Sequence, residues 1–152
     1  MFAIHTAAFT HGSEIPARYT CSGADISPAL IWDGAPQGTQ SFALITDDPD
    51  APSGTFTHWV MYDVPAQSKG LAQDVPKHER LDDGTLQGRN SFDHIGYSGP
   101  CPPPGKPHRY YFKLYALDAK ISLPPGAARQ QVEAAIKGHV LAQAELMGTF
   151  KR

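Results

Sequence analysis

The chain has 152 residues, 41% hydrophobic and 18% charged, enough for one domain with a buried core. Thirteen basic against fifteen acidic side chains give a formal charge of -2, which excludes the broad basic surface that nucleic-acid binding needs. No apolar run approaches the ~20 residues of a membrane-spanning helix, and Met1–Thr10 lacks the pattern of a secretory signal, so a cytoplasmic protein without a transmembrane segment is expected.

Fourteen Gly and fourteen Pro, almost all before residue 127, cut the chain into short segments, the mark of an antiparallel β domain with long loops. In chain order the candidate strands are Leu30–Trp32, Ser41–Thr46, Phe56–Val64 and Tyr110–Leu117, and Asp83-Gly84 is a hairpin-type turn signal. Alternation along the third puts Phe56, His58, Val60, Tyr62 and Val64 on one face and Thr57, Trp59, Met61 and Asp63 on the other. In the fourth, extended back to His108, the sets are His108, Tyr110, Phe112, Leu114 and Ala116 against Arg109, Tyr111, Lys113, Tyr115 and Leu117. Strands so apolar on both faces belong inside a covered sheet. His58 and His108 each stand near a strand start, where a pocket opens at a sheet end. After Pro124-Pro125-Gly126 the tail lacks proline, and Val132, Ile136, Val140, Ala144 and Met147 recur at helical steps, which predicts an amphipathic helix over Ala127–Met147 stopped at Gly148.

Cys21 and Cys101 are the only cysteines. A reducing compartment favours two free thiols, although both lie in turn-rich segments where a bridge is geometrically open. The sequence leaves the pairing undecided.

Four segments carry a resemblance. They are Tyr19–Pro28 followed by Leu30–Gly34, Asp47–Ser53 with His58-Trp59, Gly96–Gly105 leading to His108-Arg109-Tyr110, and Gly138–Gly148. In this order they resemble the phosphatidylethanolamine-binding protein family, in its bacterial and archaeal Raf-kinase-inhibitor-like branch. The resemblance implies a mainly β fold, two antiparallel sheets packed together with peripheral helices including a C-terminal one, in a single domain. It also implies a small anion pocket built from Asp48, His58, Gly99, Pro100, His108 and Tyr110. Phe56 stands where eukaryotic members tend to carry Trp.

The residue types support the same chemistry on their own terms. An imidazole titrates near pH 6.5, donating a hydrogen bond when neutral and adding charge below that value. Tyr110 shares a face with His108, and amides near Gly99 are open to close approach. The set suits a phosphate, sulfate or carboxylate, bound more tightly as pH falls through roughly 6.5. Asp48 has three readings: fixing a histidine tautomer, receiving a proton from a monoanionic phosphate, or pairing with a zwitterion's ammonium. With Pro49 it also reads as an Asx turn, and Asp50 reads as structural. Arg109 is expected to form a salt bridge on the opposite face, Trp59 and Tyr111 to be core, and the other five histidines to be surface or structural groups.

Two enzyme readings compete. Two His and one Asp match an iron-binding facial triad, and Asp48 with His58 or His108 would serve a hydrolase using Ser53 or Cys101 as nucleophile. No Gly-x-Ser-x-Gly elbow accompanies the latter. The leading expectation is a non-catalytic binder without cofactor or bound metal, its ligand a lipid head group or other small phosphate-like or carboxylate anion. Relatives imply a kinase or protease partner meeting the pocket rim, and oligomeric state stays open, a homodimer included.

Overall fold

The computed structural model describes residues 1–152. Strands β1 (Ala3–His5), β2 (Leu30–Asp33) and β5 (Gly70–Leu71) form a small antiparallel sheet in the order β1-β2-β5. The main sheet runs β6-β4-β3-β7-β8, from β3 (Ser41–Asp48), β4 (Phe56–Pro65), β6 (Leu86–Gln87), β7 (His108–Leu117) and β8 (Val140–Phe150). All its ladders are antiparallel. The mainly β fold with two antiparallel sheets is therefore as expected. At Asp83-Gly84 the chain does turn, Gly84 taking φ +94° while Arg80 bridges Leu86.

Every residue of β3 is buried because the sheet is covered on both faces. On one side Leu30 and Trp32 of the small sheet meet Phe42, Leu44, Trp59, Met61, Phe112 and Leu114. On the other, Ile45, Val60 and Tyr62 pack under Ile121, Val132 and Ile136. The alternation read from sequence holds along β7 but is interrupted twice in β4. At Asp63, with φ +53°, an extra residue moves Val64 from the side of Val60 to the side of Trp59 and Met61. The second interruption falls at His58. Thr46 opposes Trp59 while the next residue, Asp47, opposes Thr57, so His58 is the unpaired residue of a β-bulge.

The tail is the principal correction. Helix α1 covers only Arg129–Ile136, and the chain turns through Gly138 (φ +84°) into β8. Val132 and Ile136 are buried as the helical spacing requires. Beyond them, Ala144, Leu146 and Phe150 face the core by strand alternation, in continuous register with β7 from Leu117↔Val140 to His108↔Phe150. Good local helix formers in this segment yield to a ladder partner and an apolar face that only the assembled sheet supplies.

The cysteines resolve as well. Cys21 and Cys101 form a disulfide with Cα atoms 5.3 Å apart, so neither is a free thiol.

Candidate functional site

A cavity of about 300 Å³ opens where β3 ends and β4 and β7 begin. Asp48, His58, His108 and Tyr110 line its polar side; Phe56, Phe92, Pro52, Pro102 and Pro103 contribute apolar wall. The bulge makes this assembly. By strict alternation His58 would share a face with Val60 and Tyr62, beneath α1. Displaced from the ladder, its ring instead stands 5.3 Å from that of Tyr110 and 5.1 Å from Phe56.

Each imidazole is held by one nitrogen. His58 is 3% exposed, and its Nδ1–H donates to the Ser98 carbonyl at 2.7 Å. Burial lowers its pKa below the ordinary value, against the opposing pull of the Ser98 carbonyl and of the Asp48 and Asp25 carboxylates. A neutral ring with Nδ1 protonated leaves Nε2 as an acceptor. His108 Nδ1 lies 2.7 Å from Asp48 Oδ2, also leaving its Nε2 for the cavity. Asp48 makes two contacts: Oδ2 holds His108, and Oδ1 accepts the Asp50 amide at 2.7 Å, closing an Asx turn.

Tyr110 Oη is buried without a hydrogen-bond partner. Burial first, then the neighbouring Asp48 carboxylate, raises its pKa, so the group is a hydroxyl with its proton to give. An unsatisfied buried hydroxyl costs roughly 1–3 kcal/mol. A partner from outside the chain would satisfy it.

Gly99 and Pro100 stand behind the cavity rather than in its lining. The Gly99 amide, expected to face a ligand, donates instead to Asp25 Oδ1 at 2.7 Å, and the Pro100 carbonyl accepts the Cys21 amide at 3.1 Å. The adjoining wall is Cys101–Pro103, tied by the disulfide and by Arg152 Nε donating to the Pro102 carbonyl at 2.6 Å. Arg109 points away as expected, its guanidinium donating to both Asp50 oxygens at 2.8 and 2.9 Å. That pairing holds the Asp50 carboxyl down to about 2, so Asp50 is structural. Trp59 is fully buried, with its indole N–H on Gln87, whereas Tyr111 is half-buried beside Arg109 and Lys113.

Sequence reading missed three contributors. Phe92 lies 4.7 Å from Phe56 and forms part of the rim at 40% exposure. Asn90 fixes the loop behind His58, donating through Nδ2 to Ser98 Oγ and the Gly96 carbonyl and accepting the Phe92 amide. Asp25 lies inside the Tyr19–Pro28 segment already singled out, but nothing local tells that its partner is Gly99.

As for the enzyme readings, Cys101 is consumed by its disulfide and is no nucleophile. No group of three or more His, Cys, Asp or Glu side chains is arranged to hold a metal ion.

Comparison with known proteins places the chain in a family. The model of the phosphatidylethanolamine-binding protein family matches residues 5–151. A UPF0098 protein from Aquifex aeolicus is 52% identical over 151 residues, 98% of this chain and 88% of its own. Among solved structures, a phosphatidylethanolamine-binding protein homologue from Chlamydia trachomatis superposes with a TM-score of 0.90 at 37% identity, covering 99% of this chain and 97% of that one. Escherichia coli YbcL gives 0.92 at 33% identity, covering 99% and 98%. From residue 5 to residue 151, the chain belongs to the phosphatidylethanolamine-binding protein family.

Proposed function

We propose that this chain is a binding protein for small phosphate-like anions, a phospholipid head group or a free phosphorylated metabolite, held among His58, His108, Tyr110 and Asp48. One observation carries the reading. Two imidazoles with Nδ1 already engaged and a buried hydroxyl without a partner all border one small cavity. The family match supports a ligand site in this fold, and the cavity of about 300 Å³ suits a head group better than an acyl chain.

The arrangement also says how charge is balanced. Burial disfavours a charge on His58, and the positive charge of a protonated His108 would be cancelled by Asp48. An anion therefore binds together with a proton, delivered as its own P–OH to a ring Nε2 or taken up by His58 from solvent. Burial sets the pH at which His58 charges below the 6.5 of a free imidazole.

Gly99 and Pro100 serve this reading as the rear support of His58. The rim of Phe92, Pro52, Pro102 and Pro103 is the surface a kinase or protease partner would meet. Disulfides persist in oxidising compartments, so the cysteines lend a cytoplasmic location no support.

Calorimetric titration with inorganic phosphate and with phosphoethanolamine at pH 5.5 and 8 tests the proposal. Saturable binding that strengthens at the lower pH is expected. No binding at either pH, or equal affinity at both, would sink it.

A further inference from the structure

We infer that Asp25 is a positioning residue for the anion site, acting on His58 through the peptide group between Ser98 and Gly99. That single peptide carries both links: its N–H donates to Asp25 Oδ1 at 2.7 Å, and its C=O accepts His58 Nδ1–H at 2.7 Å. A carboxylate on the N–H side polarises the amide and enriches the carbonyl oxygen, which strengthens the bond to the ring. His108 is backed by Asp48 directly, and His58 is backed by Asp25 through one amide. Each imidazole of the cavity thus has a carboxylate behind its Nδ1.

The local backbone is built around this link. Asp25 adopts φ +58°, a left-handed conformation that Asp and Asn tolerate better than other residues with a side chain. A Cβ on Gly99 would lie 2.2 Å from the Tyr19 carbonyl oxygen and 2.5 Å from Asp25 Oδ1, so only glycine lets the peptide seat there. The neighbouring Cys21–Cys101 bridge and the Cys21 amide on the Pro100 carbonyl clamp the same two segments together.

The titratable and charged groups facing His58 are few. Asp48 comes from β3, Tyr110 and His108 from β7, and Asp25 from the loop before β2; Phe56, Phe92 and Ser98 complete the surroundings without charge. Burial disfavours the charged ring most; the Ser98 carbonyl, then Asp48, then Asp25 favour it. Any benefit to anion binding rests on the functional reading above, whereas the coupling of Asp25 to His58 does not.

The test is Asp25→Asn, which keeps an acceptor for the Gly99 amide and tolerates the same φ while removing the charge. Imidazole titrations followed by NMR should show the His58 midpoint lowered by about half a pH unit or more, with His108 unmoved. Inorganic phosphate should bind about threefold more weakly at pH 6. An unchanged His58 midpoint, or equal movement of both histidines, would overturn the assignment. Should this variant not fold, the wild-type protein decides: the Gly99 amide proton must titrate with the His58 midpoint, and its indifference would overturn the inference equally. If the wild type binds no phosphate, the anion reading fails, while the His58 midpoint still decides for or against Asp25.

Discussion

Removal of the Cys21–Cys101 bridge should cost both stability and ligand affinity. The two residues are 80 apart in sequence, and closing a loop of that length in the unfolded chain is worth about 4.5 kcal/mol by chain entropy, with 2–4 kcal/mol typical of measurement. For a chain of this size that is a fall in melting temperature of roughly 6–14 °C. Cys101 also lines the cavity, next to Pro102 and Pro103. After reduction the wall is held by the Cys21 amide on the Pro100 carbonyl, Gly99 on Asp25, and Arg152 on Pro102 and Gly105. The cavity should therefore persist but loosen, with phosphate affinity down about three- to tenfold. Cys21→Ser and Cys101→Ser should be equivalent in urea unfolding, because the shared effect lies in the unfolded state. Two free thiols in denatured, unreduced protein, or a stability loss below about 1 kcal/mol, would refute the reasoning.

Other outcomes follow from the cavity's polar groups. Tyr110→Phe removes a buried hydroxyl that has no partner, so stability should hold or rise by up to about 1 kcal/mol while phosphate binding weakens about three- to tenfold; a destabilised variant would mean that the hydroxyl is satisfied internally. Asp48→Ala strands the Asp50 amide and His108 Nδ1, and urea unfolding should show a loss of about 3 kcal/mol, with Asp48→Asn milder. His58 has a lower pKa folded than unfolded, so the unfolded chain binds more protons below about pH 6.5 and stability should decline as pH falls from there. Thermal melts from pH 7 to 5, with and without inorganic phosphate, check this, and the anion should blunt the decline.

Much of the site was legible because local chemistry signals it. Asp48 and Asp50 sit in a Pro-punctuated turn, His108 and Tyr110 share a strand face, and Arg109 takes the other; β7 realises all of that alternation up to Ala116. The resemblance of four ordered segments added the two-sheet architecture and set His58 beside the others, whereas Gly99 and Pro100, which it also assigns to the pocket, lie outside the lining. Phe92, Asn90 and Asp25 escaped because their partners, Phe56, Ser98 and Gly99, are defined only in space.

Local sequence was enough for the extended segments of β2, β3, β4 and β7, for the turn at Asp83-Gly84, and for the side chains suited to hold an anion, since these depend on neighbours within a few residues. Three features needed the assembled molecule. A bulge turns His58 toward Tyr110, β7 draws Val140–Phe150 out of its helical pattern, and packing brings Cys21 to Cys101. The physical reason is the same in each: the deciding energy comes from a partner far away in the chain. Ladder register, core burial and loop closure are realised only once that partner is in place.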